Sequence, residues 1–184
     1  MFLLIAIAIK LDSPGPVFYV SLRAGKRFRV FKFYKFRTMV RDADQRLPEI
    51  EELNQYKSEH PHSPKFIKVQ NDPRVTRLGR LLRKTSLDEL PQLWNVIKGD
   101  LSLVGNRPLP LYEAVTLTTD HYSTRFIAPA GITGLWQITK RGKISMSVEE
   151  RVNLDITYAL ERNFILDMRI LVRTPLAMVQ QENL

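Results

Sequence analysis

Apolar and polar residues between positions 17 and 37 alternate in a way that predicts a β-hairpin. The stretch VFYVSLRAGKRFRVFKFYKFR mixes aromatic and branched residues with basic ones, and such runs favour extended chain. The preceding SPGP excludes helix, and RAG reverses the chain. We therefore predict two strands joined by a turn. Lys35 and Arg37 would share one face of the second strand, because side chains two positions apart point the same way.

The first nine residues, MFLLIAIAI, contain no polar position. A helix that spans a membrane needs about 20 such residues, and a signal peptide begins with a basic region. Two interpretations remain open. The segment is either part of the buried core, or residues 1–10 are the remnant of a membrane-embedded, re-entrant helix.

Helical periodicity replaces the alternation after residue 75. Apolar residues recur there at helical spacing, and arginine recurs every third position from Arg74 to Arg83, which predicts a basic amphipathic helix. A second apolar stripe predicts a further helix that ends near Gly99. Its members are Leu90, Leu93, Trp94 and Ile97. Two more helices are predicted over residues 147–162 and 165–180.

Together these elements predict an α+β fold. We expect a mainly helical single domain with a small β-hairpin or sheet, and amphipathic helices suited to a membrane surface. One domain is expected because 184 residues can build one hydrophobic core but hardly two. The segment PAGITGLWQITKRGK, rich in glycine, is predicted as an ordered loop with short extended pieces.

The charge of the chain limits the classes of partner that this domain is expected to bind. The formal net charge is +9, and eight lysines or arginines lie between Ser13 and Arg41 without a carboxylate among them. Such a segment attracts anions, which leaves nucleic acid, a phosphorylated small molecule or an acidic lipid surface as candidates. The chain has no cysteine, so disulfides, thiolate metal sites and cysteine nucleophiles are excluded.

Two adjacent carboxylates, Asp88 and Glu89, stand in the motif TSLDEL at the predicted start of the second helix. They fit a capping box, with Ser86 as the N-cap and Glu89 three residues on. They also fit phosphoryl transfer, because a carboxylate can attack phosphorus once cations shield the charges. Helix N-termini attract phosphate, and four basic residues are candidates for binding its oxygens. These are Lys35, Arg37, Arg83 and Arg107.

Several motifs resemble the bacterial sugar transferases, the small-type polyprenyl-phosphate phosphoglycosyl transferases. They are SPGPVFY, KFRTM followed by DAD, DPRVTRLGRLLRKTSLDELPQLWNVIKGDLSLVGNRP, GITGLWQ, and two LD patterns near the end. The block SLDELPQL joined to the arginine turn is highly specific, and the matches extend over nearly the whole chain. The resemblance implies that residues 11–184 form a catalytic sugar transferase domain.

The resemblance also implies a reaction. A sugar 1-phosphate would pass from a UDP-sugar to a polyprenyl phosphate at the cytoplasmic face of the bacterial inner membrane. Asp88 would be the nucleophile, forming a phosphosugar intermediate and releasing UMP, and Glu89 would bind Mg²⁺. The phosphate-handling residues of the family fall on Lys35, Arg83 and Arg107, and a further functional acid falls on Asp155. Arg37 is a further phosphate-binding candidate, chosen from strand geometry and not from the resemblance.

Two positions depart from the pattern of that family. Asn106 and Ala130 both stand where the family usually has proline, so loop stiffness or donor choice would differ here. Two alternatives also stay open: a basic nucleic-acid-binding module and a catalytically inactive relative. A nucleic-acid partner is not expected, because Asp88 and Glu89 at the start of the second helix would repel phosphates in a groove.

Overall fold

Helices and two small sheets make up the computed structural model of the chain, which describes residues 1–46, 69, 71–140 and 146–179. The strands are β1 Phe18–Ala24, β2 Val30–Phe36, β3 Ser102–Val104, β4 Leu109–Pro110 and β5 Gly131–Thr133. The helices are α1 Phe2–Asp12, α2 Arg77–Lys84, α3 Gln92–Ile97, α4 Leu111–Ala114, α5 Asp120–Ser123, α6 Leu135–Lys140, α7 Val148–Glu161 and α8 Phe164–Val179. The predicted α+β fold, mainly helical, is confirmed.

The predicted hairpin is present as strands β1 and β2. They pair antiparallel, with Tyr19 opposite Lys35. The turn between them holds Arg27 and Phe28 in left-handed backbone, with φ of 53° and 58°. Strand β4 pairs with the other edge of β1 and gives the strand order β2-β1-β4. The sheet is therefore one strand wider than the sequence predicts.

A parallel pair, β3 with β5, brings residues 102–104 against residues 131–133. The two strands approach closely because glycines face each other: a Cβ on Gly131 would overlap the backbone of Gly105. The prediction of an extended loop for PAGITGLWQITKRGK is wrong in part, since helix α6 begins at Leu135. That helix packs Leu135 and Ile138 against the cluster of Tyr158 and Ile170, so tertiary packing overrides the local glycine signal.

The first helix, α1, has one side buried and the rest exposed. Ile5 and Ile9 pack against Phe36 of β2 and Leu82 of α2. The other apolar side chains are outward: Leu3 and Leu4 are each 72% exposed, Ile7 is 49% exposed and Leu11 is 83% exposed. The segment thus contributes to the core as one interpretation proposed, and it also presents apolar surface. None of the helices in the described ranges is long and apolar enough to cross a membrane.

The two C-terminal helices match their prediction closely. Helix α7 starts with a reciprocal capping box between Ser147 and Glu150, which satisfies two backbone donors at its first turn. Helix α8 continues through Pro175. Val152 and Ile156 of α7 join one cluster with Ala24, Leu109, Ala114, Leu117 and Phe126. Helix α7 therefore packs behind the sheet and the turn that follows β3.

Candidate active site

The acidic pair lies in a single 3₁₀ turn, Leu87–Glu89, between α2 and α3. The predicted capping box is wrong: Ser86 has left-handed backbone with φ 56°, its side chain does not cap the turn, and α3 begins only at Gln92. The physical reason is packing. The sharp reversal at Ser86 lets Leu87 and Leu90 pack against the cluster that contains Phe36 and Leu82. The result is that Asp88 is buried, at 5% exposure.

Helix α3 is oriented with its polar side inward. Asn95 is fully buried; its Oδ1 accepts from the backbone N of Tyr34 at 3.2 Å, and its Nδ2 donates to the carbonyl of Lys32 at 2.7 Å. These two bonds dock α3 onto β2. Most of the apolar stripe predicted for this helix faces outward instead, with Trp94 56% and Ile97 76% exposed, whereas Leu90 packs inward. Docking through Asn95 places the preceding acidic turn over strand β2.

Among the cations of the described ranges, Lys35 of β2 comes nearest to the pair. Its Nζ lies 2.8 Å from Oε1 of Glu89 and 3.5 Å from Oδ2 of Asp88. Arg107, in the turn after β3, brings its guanidinium to 3.2 Å from the same Oε1 of Glu89. Two cations from different elements thus converge on the two neighbouring carboxylates. The structure brings together the sequence-predicted residues Lys35, Asp88, Glu89 and Arg107.

Arg83 approaches the pair from the last turn of α2. Its Nε donates to Oγ1 of Thr38 at 3.0 Å, which fixes the guanidinium beside the strand end. Its charge reaches Asp88 and acts to lower the pKa of that carboxyl. Helix α2 therefore supplies the third predicted phosphate-handling cation to the same site.

Burial raises the pKa of Asp88 above its usual value. The charges of Lys35, Arg83 and Arg107 oppose that shift, while neighbouring Glu89 adds to it. The ion pair with Glu89 raises the pKa of Arg107, even though burial acts in the other direction. Arg107 is therefore positively charged at every physiological pH. A desolvated carboxylate held among cations suits attack on an anionic centre, because little water has to be removed from it.

Arg37 does not join this cluster. Its guanidinium donates to the carbonyl of Pro14 at 2.8 Å and to the carbonyl of Ser13 at 2.6 Å. The prediction that it shares a phosphate site with Lys35 is not supported by these contacts. The chain leaves the strand at Phe36, so the alternation that would align residues 35 and 37 ends there. Arg37 instead holds the turn between α1 and β1.

Asp155 lies behind the site rather than in it. Its side chain and that of Arg125 are each 2% exposed and form an ion pair. Nε of Arg125 donates to Oδ2 of Asp155 at 3.1 Å, and the same guanidinium donates to the backbone carbonyl of Arg107 at 3.0 Å. Asn106 adds two further bonds, from its Nδ2 to the carbonyls of Arg125 and Asp155. Asp155 thus holds the guanidinium that binds the backbone of Arg107.

Arg125 is the residue of this network that the sequence does not reveal. It stands alone in STRFI, without periodic neighbours or a motif. Only the folded chain brings its guanidinium to Asp155, 30 positions away.

The two positions that depart from the family pattern are neighbours in the fold. Asn106 and Ala130 form an isolated parallel bridge.

The acidic pair also fits a magnesium ion chemically. Mg²⁺ in enzymes of phosphate chemistry is commonly held by one or two carboxylates, with substrate phosphates and water completing its shell. Glu89 offers such a carboxylate beside the buried Asp88, with its Oε1 facing Lys35 and Arg107. In the described ranges, no group of three histidine or acidic side chains gathers into an all-protein metal site.

A pair of carboxylates with lysine and arginine around it is an arrangement that suits phosphate-bearing substrates. The model of the family described as bacterial sugar transferase matches residues 1–181, and the chain belongs to that family.

Three relatives show the range of names in the family. The exopolysaccharide production protein ExoY of Rhizobium meliloti is 40% identical over 95% of this chain and 75% of its own length. The undecaprenyl-phosphate galactose phosphotransferase of Salmonella typhimurium is 38% identical over 91% of this chain and 34% of its own. The UDP-galactose-lipid carrier transferase of Erwinia amylovora is 41% identical over 89% of this chain and 33% of its own length. The chain thus spans about a third of the length of the last two.

Proposed function

We propose that the chain transfers a sugar 1-phosphate from a UDP-sugar to a polyprenyl phosphate and releases UMP. This reaction would start the assembly of an exopolysaccharide, a capsule or another bacterial glycan. The names of the relatives support the donor and acceptor classes. The observation that carries the proposal is the burial of Asp88 in a turn contacted by Lys35, with Arg83 and Arg107 beside it.

In the first step a carboxylate oxygen of Asp88 attacks the phosphorus that bears the sugar. A bond forms between that oxygen and phosphorus, and the bond from phosphorus to the bridging oxygen of the diphosphate breaks. The bridging oxygen keeps the electron pair and leaves as part of UMP. Because UMP leaves as an anion, the step needs little help from a general acid.

In the second step a phosphate oxygen of the polyprenyl phosphate attacks the same phosphorus. The bond to Asp88 breaks, the carboxylate is restored, and the product is a polyprenyl diphosphate sugar. Both steps bring one anion towards another, so the three neighbouring cations contribute chiefly by lowering repulsion. These are Lys35, Arg83 and Arg107.

Glu89 would hold Mg²⁺ in this scheme. A bound Mg²⁺ would neutralise phosphate charge and help to orient the diphosphate. The contacts of Glu89 with Lys35 and Arg107 at 2.8 and 3.2 Å keep its carboxylate beside the attacking residue. Asp155 and Arg125 contribute indirectly, by fixing the backbone of Arg107.

We place the reaction at the cytoplasmic face of the bacterial inner membrane, and the exposed apolar side chains support contact with a membrane surface. On α3, Leu93 is 45%, Trp94 56% and Ile97 76% exposed, which is unusual for three neighbouring large apolar residues. The outer surface of α1 and residues of α8, including Val172 at 71% and Leu176 at 70%, add to the exposed apolar area. Insertion of these side chains among lipid headgroups would hold the site near a lipid-bound acceptor.

A panel of UDP-sugars tests the proposed function. Membranes that contain the chain are supplied with polyprenyl phosphate and Mg²⁺, and UMP release is measured for each donor. We expect release with one donor or a small group of donors, and none when Asp88 is replaced with asparagine. A catalytically inactive relative would release no UMP with any donor.

A further inference from the structure

Arg23 lies on the active-site face of the hairpin although no motif points to it. In the register of β1 and β2, Tyr19 is opposite Lys35, and Arg23 is opposite Phe31. Side chains on a strand alternate between the two faces, so Arg23 and Lys35 emerge on the same face. The buried ring of Phe33 lies between them on that face.

The two cations approach the same aromatic ring. The guanidinium carbon of Arg23 is 5.3 Å from the centroid of Phe33, and Nζ of Lys35 is 5.7 Å from it. Lys35 in turn contacts Glu89 and Asp88. Arg23 therefore borders the cluster that surrounds the acidic pair.

The guanidinium of Arg23 is held by a neutral hydrogen-bond partner, and the charge of Glu113 acts on it from further away. Its Nε donates to Oγ of Ser21 at 3.1 Å. Within the described ranges, no carboxylate oxygen comes within 4.0 Å of it. Burial lowers its pKa and the positive charge of Arg107 lowers it further, while Glu113 acts in the opposite direction.

Two guanidinium groups in one partly desolvated region repel each other. Such an arrangement is costly unless an anion offsets the charge. Arg23 and Arg107 are such a pair: Glu113 offsets part of the charge of both, and Arg107 also binds Glu89 of the acidic pair. In the function proposed above, a phosphate group is the further anion that the neighbouring site receives.

We propose that Arg23 is a further phosphate-binding residue of this site and contacts a phosphoryl group of a substrate together with Lys35 and Arg107. The inference rests on the function proposed above. Two substrates carry the required chemistry: the diphosphate of the nucleotide sugar and the phosphate of the lipid acceptor. A guanidinium suits either one, because it donates two parallel hydrogen bonds to phosphate oxygens.

The experiment compares three variants in the full chain: Arg23→Gln, Arg23→Lys and the control Arg29→Gln. Arg29 comes from the same hairpin, but its side chain is 75% exposed and its guanidinium lies 3.8 Å from Asp100. One arm measures the affinity of UDP, an unreactive probe of the donor site, by calorimetry. The other arm preloads the enzyme with radiolabelled phosphosugar and measures the polyprenyl phosphate concentration that gives half-maximal release. Thermal unfolding is recorded for every variant.

We expect Arg23→Gln to weaken binding about 10- to 100-fold in at least one arm, the usual effect of losing a charge-assisted hydrogen bond. The arm in which binding weakens shows whether Arg23 contacts the diphosphate of the nucleotide sugar or the phosphate of the lipid acceptor. Arg23→Lys should recover part of the affinity, and Arg29→Gln should match the unaltered chain.

Two results would overturn the assignment. One is binding within about twofold of the unaltered chain in both arms for Arg23→Gln. The other is a loss that comes with a fall in unfolding temperature and is not recovered by lysine, since that would make Arg23 a structural residue. Failure of the proposed function is seen separately. In that case the unaltered chain releases no UMP with any donor, whereas UDP binding still reports on Arg23.

Discussion

Replacing Asp155 with alanine should strongly destabilise the fold. The change leaves the guanidinium of Arg125, whose side chain is 2% exposed, without its ion-pair partner. Breaking a buried pair by removing one member costs about 3–5 kcal/mol, because the remaining charge stays buried. For a chain of this size each kcal/mol lowers the unfolding temperature by about 2–4 °C, so a fall of about 6–20 °C is expected.

The assay is thermal unfolding followed by circular dichroism, with urea unfolding for the free energy. Asp120→Ala is the matched control, because Asp120 is exposed at the start of α5. It should change the stability by less than about 1 kcal/mol. A second variant removes both charges, with Arg125→Met and Asp155→Leu together. It should recover much of the lost stability, because an apolar pair avoids the cost of burying charge.

The double variant separates stability from positioning. It lacks the bond from Arg125 to the carbonyl of Arg107, so UMP release should stay low although the fold is restored. A cost of less than about 1 kcal/mol for Asp155→Ala, or a double variant no more stable than Asp155→Ala, would contradict the role of the buried ion pair in stability. Full activity in the double variant would contradict its role in positioning Arg107.

Three further outcomes follow from the site and the exposed helix. Lys35→Met should move the acid limb of the pH profile of phosphosugar labelling to higher pH. Burial raises the pKa of Asp88 and the charge of Lys35 opposes that rise, so removing the charge leaves less of the nucleophile ionised at a given pH. Glu89→Gln should raise the Mg²⁺ concentration for half-maximal UMP release and lower turnover, because an amide is a weaker ligand for a hard cation. Trp94→Ser combined with Ile97→Ser should lower the fraction of protein that floats with anionic liposomes by about tenfold or more, because two exposed apolar side chains are lost.

A specific result would contradict each of these three predictions. An acid limb that stays in place or moves to lower pH would show that Lys35 does not act on the nucleophile. Unchanged Mg²⁺ dependence would remove Glu89 from the metal site. For flotation, Val115→Ser is the control, since Val115 is 66% exposed on another part of the surface. Equal loss in the control, or no loss in the α3 variant, would count against α3 as a membrane contact.

The sequence predicts those parts of the structure that depend on local pattern. Alternation locates the hairpin, and helical spacing locates α2, α7 and α8 within a few residues. The motif around Asp88 and Glu89 identifies the site, and three of the four basic residues chosen for it do converge there. Arg37 lies apart from these three because the strand ends at Phe36, one residue earlier.

Other features depend on contacts between distant positions and leave little local signal. The reversal at Ser86 follows from the packing of Leu87 and Leu90 against α1 and β2. The inward polar side of α3 follows from Asn95 binding the backbone of β2 across more than 60 positions. Arg125 acquires its role only through Asp155 and Arg107. In the first case apolar packing outweighs the local pattern, and in the other two a buried hydrogen bond or ion pair does so.

The most direct test of the account is the site of covalent attachment. The chain is incubated with a reactive UDP-sugar and Mg²⁺ without acceptor, quenched, digested and mapped by mass spectrometry. We expect one phosphosugar adduct, on the peptide that contains Asp88, together with one UMP released per adduct and loss of both in Asp88→Asn. An adduct on another residue, or full labelling of Asp88→Asn, would contradict it.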